Sequence, residues 1–335
     1  MRLLLALTLL GAIIPQASTQ SMHVDRLDPA LDQLIAPGTK PESIAGPYTF
    51  TEGPMWREGR LWFSDEEGDK VHALTVTPSG VKDEVIVDFT QPPYGHADHA
   101  KIGPNGQAPA PNGSVVMMRQ YARDVIHLNG NPPHVKPQPW FDNYNGHHLN
   151  SPNDVVFAPD GSFFFTDPNY GLKLRDKDPN KQLPYQAVFR VTGEKHATLT
   201  PIITDLATPN GIALSPDNRI LYVNNSGPDQ RIVAYDVHPD GTVSNARNLI
   251  TFTGKEGEGV PDGMKIDSHG NIWSTGPGGI RIITPQGKVL GQIILPEVAA
   301  NCAWGDDGTT LYITARTHIY RIRTKVKGYL PAFRR

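Results

Sequence analysis

The chain has 335 residues, enough to bury a substantial core in one large all-β domain or in two smaller domains. Its 31 basic and 34 acidic residues give a formal net charge of −3, without a concentrated basic stretch, which argues against nucleic acid as a partner. With 32 Gly and 31 Pro distributed among apolar runs, the composition indicates many turns between short strands.

The first twenty residues are predicted to be a secretory signal peptide. Arg2 provides a positive start, residues 3–14 are an apolar run too short to span a bilayer, and residues 15–20 offer small residues for cleavage. A retained leader acting as a membrane anchor is the alternative. We therefore expect residues 21–335 to be the mature protein, periplasmic or secreted. It would be a monomer or dimer without stable membrane association.

The first elements after the leader are predicted to be a short helix and four strands. Residues 29–35 favour one or two helical turns packed outside the main body, ended by Pro37 and Gly38. Apolar or alternating runs separated by short turns then lie at residues 51–56, 60–65, 70–74 and 85–87. Four such strands within about forty residues are typical of one blade of a propeller.

Units of the same kind recur along the rest of the chain. Each opens with an Asn, Asp or Glu, which in most copies lies beside Gly or Pro, followed by an apolar run, a turn and a second run. The opening residues are Glu52, Asn153, Asn210, Asp262 and Asn301, with a degraded copy at residues 102–106. Six repeats of roughly 40 to 57 residues predict an all-β, six-bladed β-propeller. We expect a single domain over residues 21–335, closed by pairing of its terminal segments.

Four of the opening residues are candidates for a shared metal site. The innermost strands of successive blades face a central channel, so Glu52, Asn153, Asn210 and Asp262 would meet at one end of it. The alternative is that Asn and Asp beside Gly or Pro are simply turn formers. Together they supply only oxygen donors, which suit a divalent cation, with Ca²⁺ preferred and Mg²⁺, Mn²⁺ or Zn²⁺ as alternatives.

Five pieces of the chain resemble one known family. They lie at residues 52–56 (EGPMW), 149–156 (LNSPNDVV), 165–172 (FTDPNYGL), 209–217 (PNGIALSPD) and 261–267 (PDGMKID). In this order they resemble the gluconolactonase and regucalcin (senescence marker protein) family of six-bladed propeller lactonases. The resemblance covers residue 28 to the end of the chain.

The resemblance implies a metal-dependent lactone hydrolase. The family's metal ligands correspond to Glu52, Asn153, Asn210 and Asp262, and the position of Asn153 also lies near the substrate in some members. Asp262 is the candidate catalytic general base. The implied reaction is hydrolysis of a sugar lactone, of the glucono-1,5-lactone to gluconate type, by metal-activated water.

Several positions depart from the family or have open roles. His147 and His148 stand where many relatives carry a basic pair, and residues 118–121 (MRQY) stand where relatives often have Glu-His. We expect His148 and Tyr170 to bind substrate. The alternatives are a channel-lining histidine without a role and a tyrosine that belongs to a strand-end turn. Residues 171–186 predict a charged surface loop.

Other chemistries are weaker. Cys302, the sole cysteine, lies at the start of an apolar strand, which favours a buried inert thiol over a nucleophile. The His96–His99 stretch has the spacing of a metal clip, although a loop is favoured. Two alternative functions remain. One is a promiscuous lactonase or organophosphate esterase, and the other is a non-catalytic ligand-binding propeller with a structural ion.

Overall fold

The computed structural model describes residues 21–92, 94, 101–330 and 333. The predicted signal peptide at 1–20 and the stretch at 96–99 therefore lie outside the described residues. In that part of the chain, no helix is long and apolar enough to cross a membrane.

The described residues form twenty-seven β-strands and two 3₁₀ helices, Pro29–Gln33 and Arg175–Lys177. The strands of the first half are β1 His23–Arg26, β2 Glu42–Ala45, β3 Thr51–Arg57, β4 Arg60–Asp65, β5 Lys70–Thr77, β6 Gly80–Asp88, β7 Pro104–Pro109, β8 Val115–Arg119, β9 Asp124–Asn129, β10 Lys136–Phe141, β11 Asn143–Tyr144, β12 His147–His148, β13 Val155–Phe157 and β14 Phe163–Asp167. Those of the second half are β15 Ala187–Thr192, β16 Thr198–Ile203, β17 Pro209–Leu214, β18 Ile220–Asn225, β19 Arg231–Val237, β20 Val243–Thr251, β21 Met264–Ile266, β22 Ile272–Gly276, β23 Gly279–Ile283, β24 Val289–Ile294, β25 Ala299–Gly305, β26 Thr310–Ala315 and β27 His318–Arg323.

The strands build six antiparallel sheets, which confirms the predicted six-bladed β-propeller. Blades 1 to 4 each run in chain order from the innermost strand outward: β3–β6, β7–β10, β13–β16 and β17–β20. Blade 5 consists of β21–β24 with β1 added outside, and blade 6 of β25–β27 with β2 added outside. The weakly marked repeat at residues 102–106 opens a regular blade 2. Strands β11 and β12 form a separate hairpin.

The ring closes through the two ends of the chain, as the sequence predicted. Blade 6 obtains three strands from the C-terminal segment, and β2 supplies its outermost strand, with Glu42 opposite Arg321 in the register. This pairing covers the edge of β27, which would otherwise present unpaired backbone groups. The predicted short helix is a 3₁₀ helix, and its Leu31 is fully buried in a cluster with Ile293 of blade 5.

The core lies between blades and follows the alternation of strand side chains. In β14, Phe163 and Phe165 belong to a buried cluster with Val116 of blade 2. Phe164 belongs instead to a cluster with Leu221 of blade 4. Because successive strand residues point to opposite faces, a central strand buries both sides. Each fully buried Phe contributes about 1.5–3 kcal/mol relative to an exposed one.

Close contact between innermost strands brings the opening residues together. Gly211, which follows Asn210, donates its backbone N–H to the Asp262 carbonyl of the next blade at 3.0 Å. A Cβ atom at Gly211 would lie 1.9 Å from that oxygen, and one at Gly53 would lie 2.0 Å from the Asn105 carbonyl. Glycine is therefore required at these two contacts between innermost strands.

Candidate functional site

The four predicted ligands occupy equivalent places on four innermost strands. Glu52 and Asn210 are the second residues of β3 and β17, while Asn153 and Asp262 lie two residues before β13 and β21. The first three side chains are buried, and Asp262 keeps partial exposure. Burial and then the charge of Glu52 raise the pKa of Asp262, and an Asn210 hydrogen bond opposes that rise. Glu52, Asn210 and Asp262 therefore lie close enough to interact. Asn153 is linked to Glu66 through Gln120.

The site carries an excess of buried negative charge. Burial and the charge of Asp154 raise the pKa of Glu52 to about 7. Burial and the charge of Glu52 raise the pKa of Glu66 to about 8. Burial, followed by the charges of Glu52, Glu66 and Asp154, holds the pKa of Asp262 well above its usual range. Lys265 partly offsets the charge of Glu52. Buried carboxylates that raise one another's pKa values in this way attract a cation.

Two amide oxygens at the site accept no hydrogen bond from the described residues. Asn210 donates its amide N–H to Ser226 Oγ at 3.0 Å, whereas its Oδ1 is buried and unsatisfied. Asn153 Nδ2 donates to Gln120 Oε1 at 3.1 Å, which leaves Asn153 Oδ1 without a described donor. A buried acceptor left unsatisfied, as at Asn210, costs about 1–3 kcal/mol. Both oxygens are therefore suited to a ligand from outside the chain.

The other two opening residues support their neighbours instead. Asn301 donates from Nδ2 to Glu52 Oε2 at 3.1 Å, while its Oδ1 accepts from Cys302 N at 2.8 Å and Lys265 Nζ at 3.2 Å. Asn105 donates from Nδ2 to Glu66 Oε2 at 3.1 Å and to Gln120 Oε1 at 3.2 Å. Both ends of the Asn301 amide thus have protein partners, and the NH₂ group of Asn105 is held by Glu66 and Gln120.

Tyr170 lies beside Asn210, and its predicted role in substrate binding stays a prediction. Its hydroxyl accepts from Asn210 Nδ2 at 3.5 Å. Burial and then the charge of Asp262 raise the pKa of Tyr170 to about 12. The Arg175 guanidinium lies 4.7 Å from the centroid of the Tyr170 ring, in cation–π geometry. Gly171 donates its N–H to Ser151 Oγ at 2.7 Å. These two contacts place the start of the loop at residues 171–186 next to Tyr170 and Ser151.

His148 has no described contact with the other predicted site residues. It is exposed on the β11–β12 hairpin, where its backbone N–H donates to Gln182 Oε1 at 2.7 Å. Its Nδ1 lies 3.8 Å from Asp142 Oδ2. Substrate binding by His148 stays a prediction that these contacts do not support.

Cys302 is buried, in agreement with the inert thiol expected from sequence. Its Sγ donates to the Trp273 carbonyl at 3.6 Å, and burial raises its pKa to about 12. A thiol held in its protonated form is a poor nucleophile.

Three residues of the site were missed or underrated from sequence. Asp154 directly follows Asn153, and its Oδ1 accepts from Val155 N at 2.9 Å. After burial, its charge also contributes to the raised pKa values of Glu52 and Asp262. A signal was available, because Gly follows Glu52, Asn210 and Asp262, whereas an acid follows Asn153. Glu66 and Gln120 had no such signal, since neither occupies the opening position of a repeat.

The donor set fits a hard cation only when amides are counted. Among the described residues, no group of three or more His, Cys, Asp or Glu side chains is placed to hold a metal ion. Glu52 and Asp262 provide two carboxylates, and Asn153 and Asn210 provide the two unsatisfied amide oxygens. All four donors are oxygen atoms of the kind that Ca²⁺ and Mg²⁺ prefer.

Known proteins share this architecture and sequence. A gluconolactonase of Zymomonas mobilis is 34% identical over 321 residues, which cover 91% of this chain and 87% of that protein. The solved structure of a gluconolactonase from Xanthomonas campestris has a TM-score of 0.76 at 25% identity, covering 90% of this chain and 94% of that one. A calcium-binding regucalcin from Agrobacterium tumefaciens shares the fold, with a TM-score of 0.63 at 17% identity and coverage of 87% and 98%.

The family model described as the SMP-30/Gluconolactonase/LRE-like region matches residues 50–317, from the first innermost strand to the last blade. That range includes all four predicted ligands and strands from each of the six blades, and the chain therefore belongs to the SMP-30/gluconolactonase/LRE-like family.

Proposed function

We propose that this lactone hydrolase opens a sugar lactone of the glucono-1,5-lactone type, with a divalent cation held by Glu52, Asn153, Asn210 and Asp262. The observation that carries the proposal is the buried Oδ1 of Asn210, which accepts no hydrogen bond from the described residues, in a side chain that interacts with Asp262. Lactone hydrolysis as such follows from the family and from relatives named gluconolactonase and lactonase. The sugar substrate and the metal dependence are the new elements.

Ca²⁺ is the proposed cation because the four donors are all oxygens, and because the fold's regucalcin member is named as calcium-binding. When bound, the cation supplies Lewis acidity at the lactone carbonyl and at a water molecule. The amide oxygens of Asn153 and Asn210 are neutral, so only Glu52 and Asp262 add negative charge to the four-residue donor set. Mg²⁺, Mn²⁺ and Zn²⁺ are the alternatives to be compared.

Asp262 and Tyr170 provide the proton acceptor and the hydrogen-bond donor of the proposed reaction. A carboxylate oxygen of Asp262 accepts the proton of the attacking water, and the raised pKa of this group makes it a stronger base than an ordinary aspartate. Tyr170, protonated at neutral pH, donates its hydroxyl hydrogen to a substrate oxygen. Water adds to the carbonyl carbon and gives a proton to Asp262. The ring C–O bond then breaks, and the ring oxygen takes that proton from Asp262 and leaves as a hydroxyl of the hydroxy acid.

A hydrolysis assay on metal-stripped protein tests this proposal. Acid release from glucono-1,5-lactone is followed after chelation and after adding Ca²⁺, Mg²⁺, Mn²⁺ or Zn²⁺. We expect at least about a 100-fold loss on chelation, because an electrostatic stabiliser of the transition state is removed. Recovery should be greatest with one of these cations. Full activity after complete chelation would overturn the metal dependence.

The same assay with aliphatic lactones and an organophosphate ester distinguishes a sugar lactonase from the alternative, a promiscuous lactonase or esterase. A sugar lactonase is expected to favour the polyhydroxylated ring, since the site is lined by polar side chains. Equal rates with unsubstituted lactones would contradict the proposed substrate class.

Export of the protein is part of the proposal and rests on the leader-like composition of residues 1–20. Expression of the full chain in a Gram-negative host, followed by periplasmic extraction and N-terminal sequencing, tests it. A protein found only in the cytoplasm with Met1 retained would contradict export.

A further inference from the structure

We propose that Glu66 and Gln120 are positioning residues that set the orientation of the Asn153 amide, so that its oxygen rather than its NH₂ group faces the cation. The inference rests on the proposed function, because it concerns the same cation site. It assigns a role to blade 2, which contributes none of the four ligands.

The first contact fixes Gln120. Glu66 is buried, with 5% of its surface exposed, and its Oε1 accepts from Gln120 Nε2 at 2.6 Å. Its Oε2 accepts from Asn105 Nδ2 at 3.1 Å. When it is ionised, the Glu66 carboxylate has only acceptor oxygens, so the NH₂ end of Gln120 then points to Glu66 and its Oε1 points the other way. An amide in the flipped orientation would place two acceptors against each other.

The second contact passes this orientation to Asn153. Gln120 Oε1 accepts from Asn153 Nδ2 at 3.1 Å and from Asn105 Nδ2 at 3.2 Å. Because Gln120 Oε1 is an acceptor, both Asn105 and Asn153 must turn an N–H towards it. The NH₂ group of Asn153 is therefore directed towards blade 2. The Oδ1 of Asn153 is then the end left without a donor among the described residues. A flipped Asn153 would present N–H groups to a cation, which repels them.

Hydrogen bonds of its backbone fix the position of Gln120 between Glu66 and Asn153. Its N–H donates to the Gly103 carbonyl at 2.7 Å, and its own carbonyl accepts from Ser151 Oγ at 3.3 Å. A Cβ at Gly171 would lie 2.1 Å from the same Gln120 carbonyl. The chain of contacts therefore runs from Glu66 in blade 1, through Gln120 in blade 2, to Asn153 in blade 3. Partners of this kind outside the ligand set change metal affinity by about 10- to 100-fold when they are removed.

The test is a double-mutant cycle on Ca²⁺ affinity, measured by isothermal titration calorimetry on the whole mature chain. Gln120→Met removes both hydrogen-bonding ends at similar size, and we expect Ca²⁺ binding to weaken by about 10- to 100-fold. Asn153→Asp provides the decisive background, because a carboxylate has two equivalent oxygens and needs no orientation. In that background, Gln120→Met should change the affinity less than about threefold.

Two further variants keep the result interpretable. Glu66→Gln is isosteric but no longer accepts at both oxygens, so it should weaken Ca²⁺ binding in the same direction and be relieved by the same Asn153→Asp background. Gln138→Met, on the exposed face of β10, is the matched control and should leave the affinity unchanged. Thermal unfolding of each variant without cation checks that the fold is retained.

Equal weakening by Gln120→Met in both backgrounds would overturn the positioning role, since it would indicate a general packing effect. Unchanged affinity in Gln120→Met and Glu66→Gln, with normal Ca²⁺ binding by the wild type, would overturn this inference alone. A wild type that binds none of the four cations would overturn both this inference and the metal dependence of the proposed function.

Discussion

At the candidate site, the residues that open the six blades differ in what their side-chain oxygens do. Asn210 has a buried oxygen without a partner, whereas the Asn301 oxygen is occupied by two donors. The same residue type at the same repeat position thus serves two purposes. The difference arises from the neighbouring blade, because Asn301 lies against Glu52 and Lys265 and Asn210 lies against Asp262 and Tyr170.

Neutralising Asp262 and neutralising Glu52 should impair lactone hydrolysis in different ways. Asp262→Asn removes the proposed base, so lactone turnover should fall by about 10²- to 10⁴-fold even at saturating cation. Glu52→Gln removes a charge from the donor set without removing the base. It should therefore raise the cation concentration needed for half-maximal activity while turnover recovers at saturation.

Cation titrations of the initial hydrolysis rate distinguish the two variants. Asp307→Asn, an exposed residue in the turn after β25, serves as the control because asparagine retains its capping of Thr309 N. Identical titration curves for Asp262→Asn and Glu52→Gln would argue against separate roles.

At the scale of elements, the innermost strands bring the ligands together by close backbone contact. Gly211 of β17 and Asp262 before β21 show this most clearly, since a hydrogen bond joins them and no side chain fits between them. The loop at residues 171–186 is a second such element. It was predicted as a charged surface loop, and its Arg175 is exposed as expected, while Leu172 and Leu183 are buried and hold it against the blades.

A methyl group at Gly211 should damage stability and the site together. Gly211→Ala places Cβ 1.9 Å from the Asp262 carbonyl, and overpacking of this kind costs about 1–3 kcal/mol in unfolding free energy. The forced shift of blade 5 should also weaken Ca²⁺ binding. Gly227→Ala is the control, because its Cβ would meet only side-chain atoms, the nearest at 3.0 Å.

Urea unfolding and calorimetric Ca²⁺ titration of both variants provide the measurement. Comparable midpoints and affinities for Gly211→Ala and Gly227→Ala would show that the backbone contact is not limiting.

At the scale of the whole molecule, buried acids make the metal-free ring sensitive to pH. Glu52 and Glu66 have pKa values raised to about 7 and about 8 from a usual value of 4.5. Between the unfolded and folded values the native protein binds protons that the unfolded chain has released. Stability from these groups is therefore fully present below about pH 4.5 and is lost as the pH rises to about 8.

We expect the metal-free protein to unfold at lower urea concentration at pH 8.5 than at pH 5.5. Burial lowers the pKa of His127, which acts in the opposite direction, so the informative quantity is the difference between wild type and Glu66→Gln. That variant should lose part of the pH dependence, since each unit of pKa shift corresponds to about 1.4 kcal/mol. Saturating Ca²⁺ should restore stability at pH 8.5, because the ionised carboxylates then have a partner. The same pH dependence in wild type and variant would contradict this account.

The repeats, visible in the sequence, were sufficient to predict the blades, their number, the closure of the ring by the chain ends and the residue that opens each blade. The short-range pattern of turns and alternating apolar residues specifies each blade, so this information is local. The buried state of Cys302 followed from the same pattern.

Only the tertiary structure decided which opening residues have free oxygens, that Asp154 and Glu66 add their charge to the site, and that Gln120 connects Glu66 to Asn153. It also placed His148 on an exposed hairpin, where its backbone N–H donates to Gln182 and the described residues show no contact between it and the four ligands. The physical reason is that these contacts join different blades. A repeat specifies a residue's place within its own blade, but its partners across the channel depend on how neighbouring blades pack.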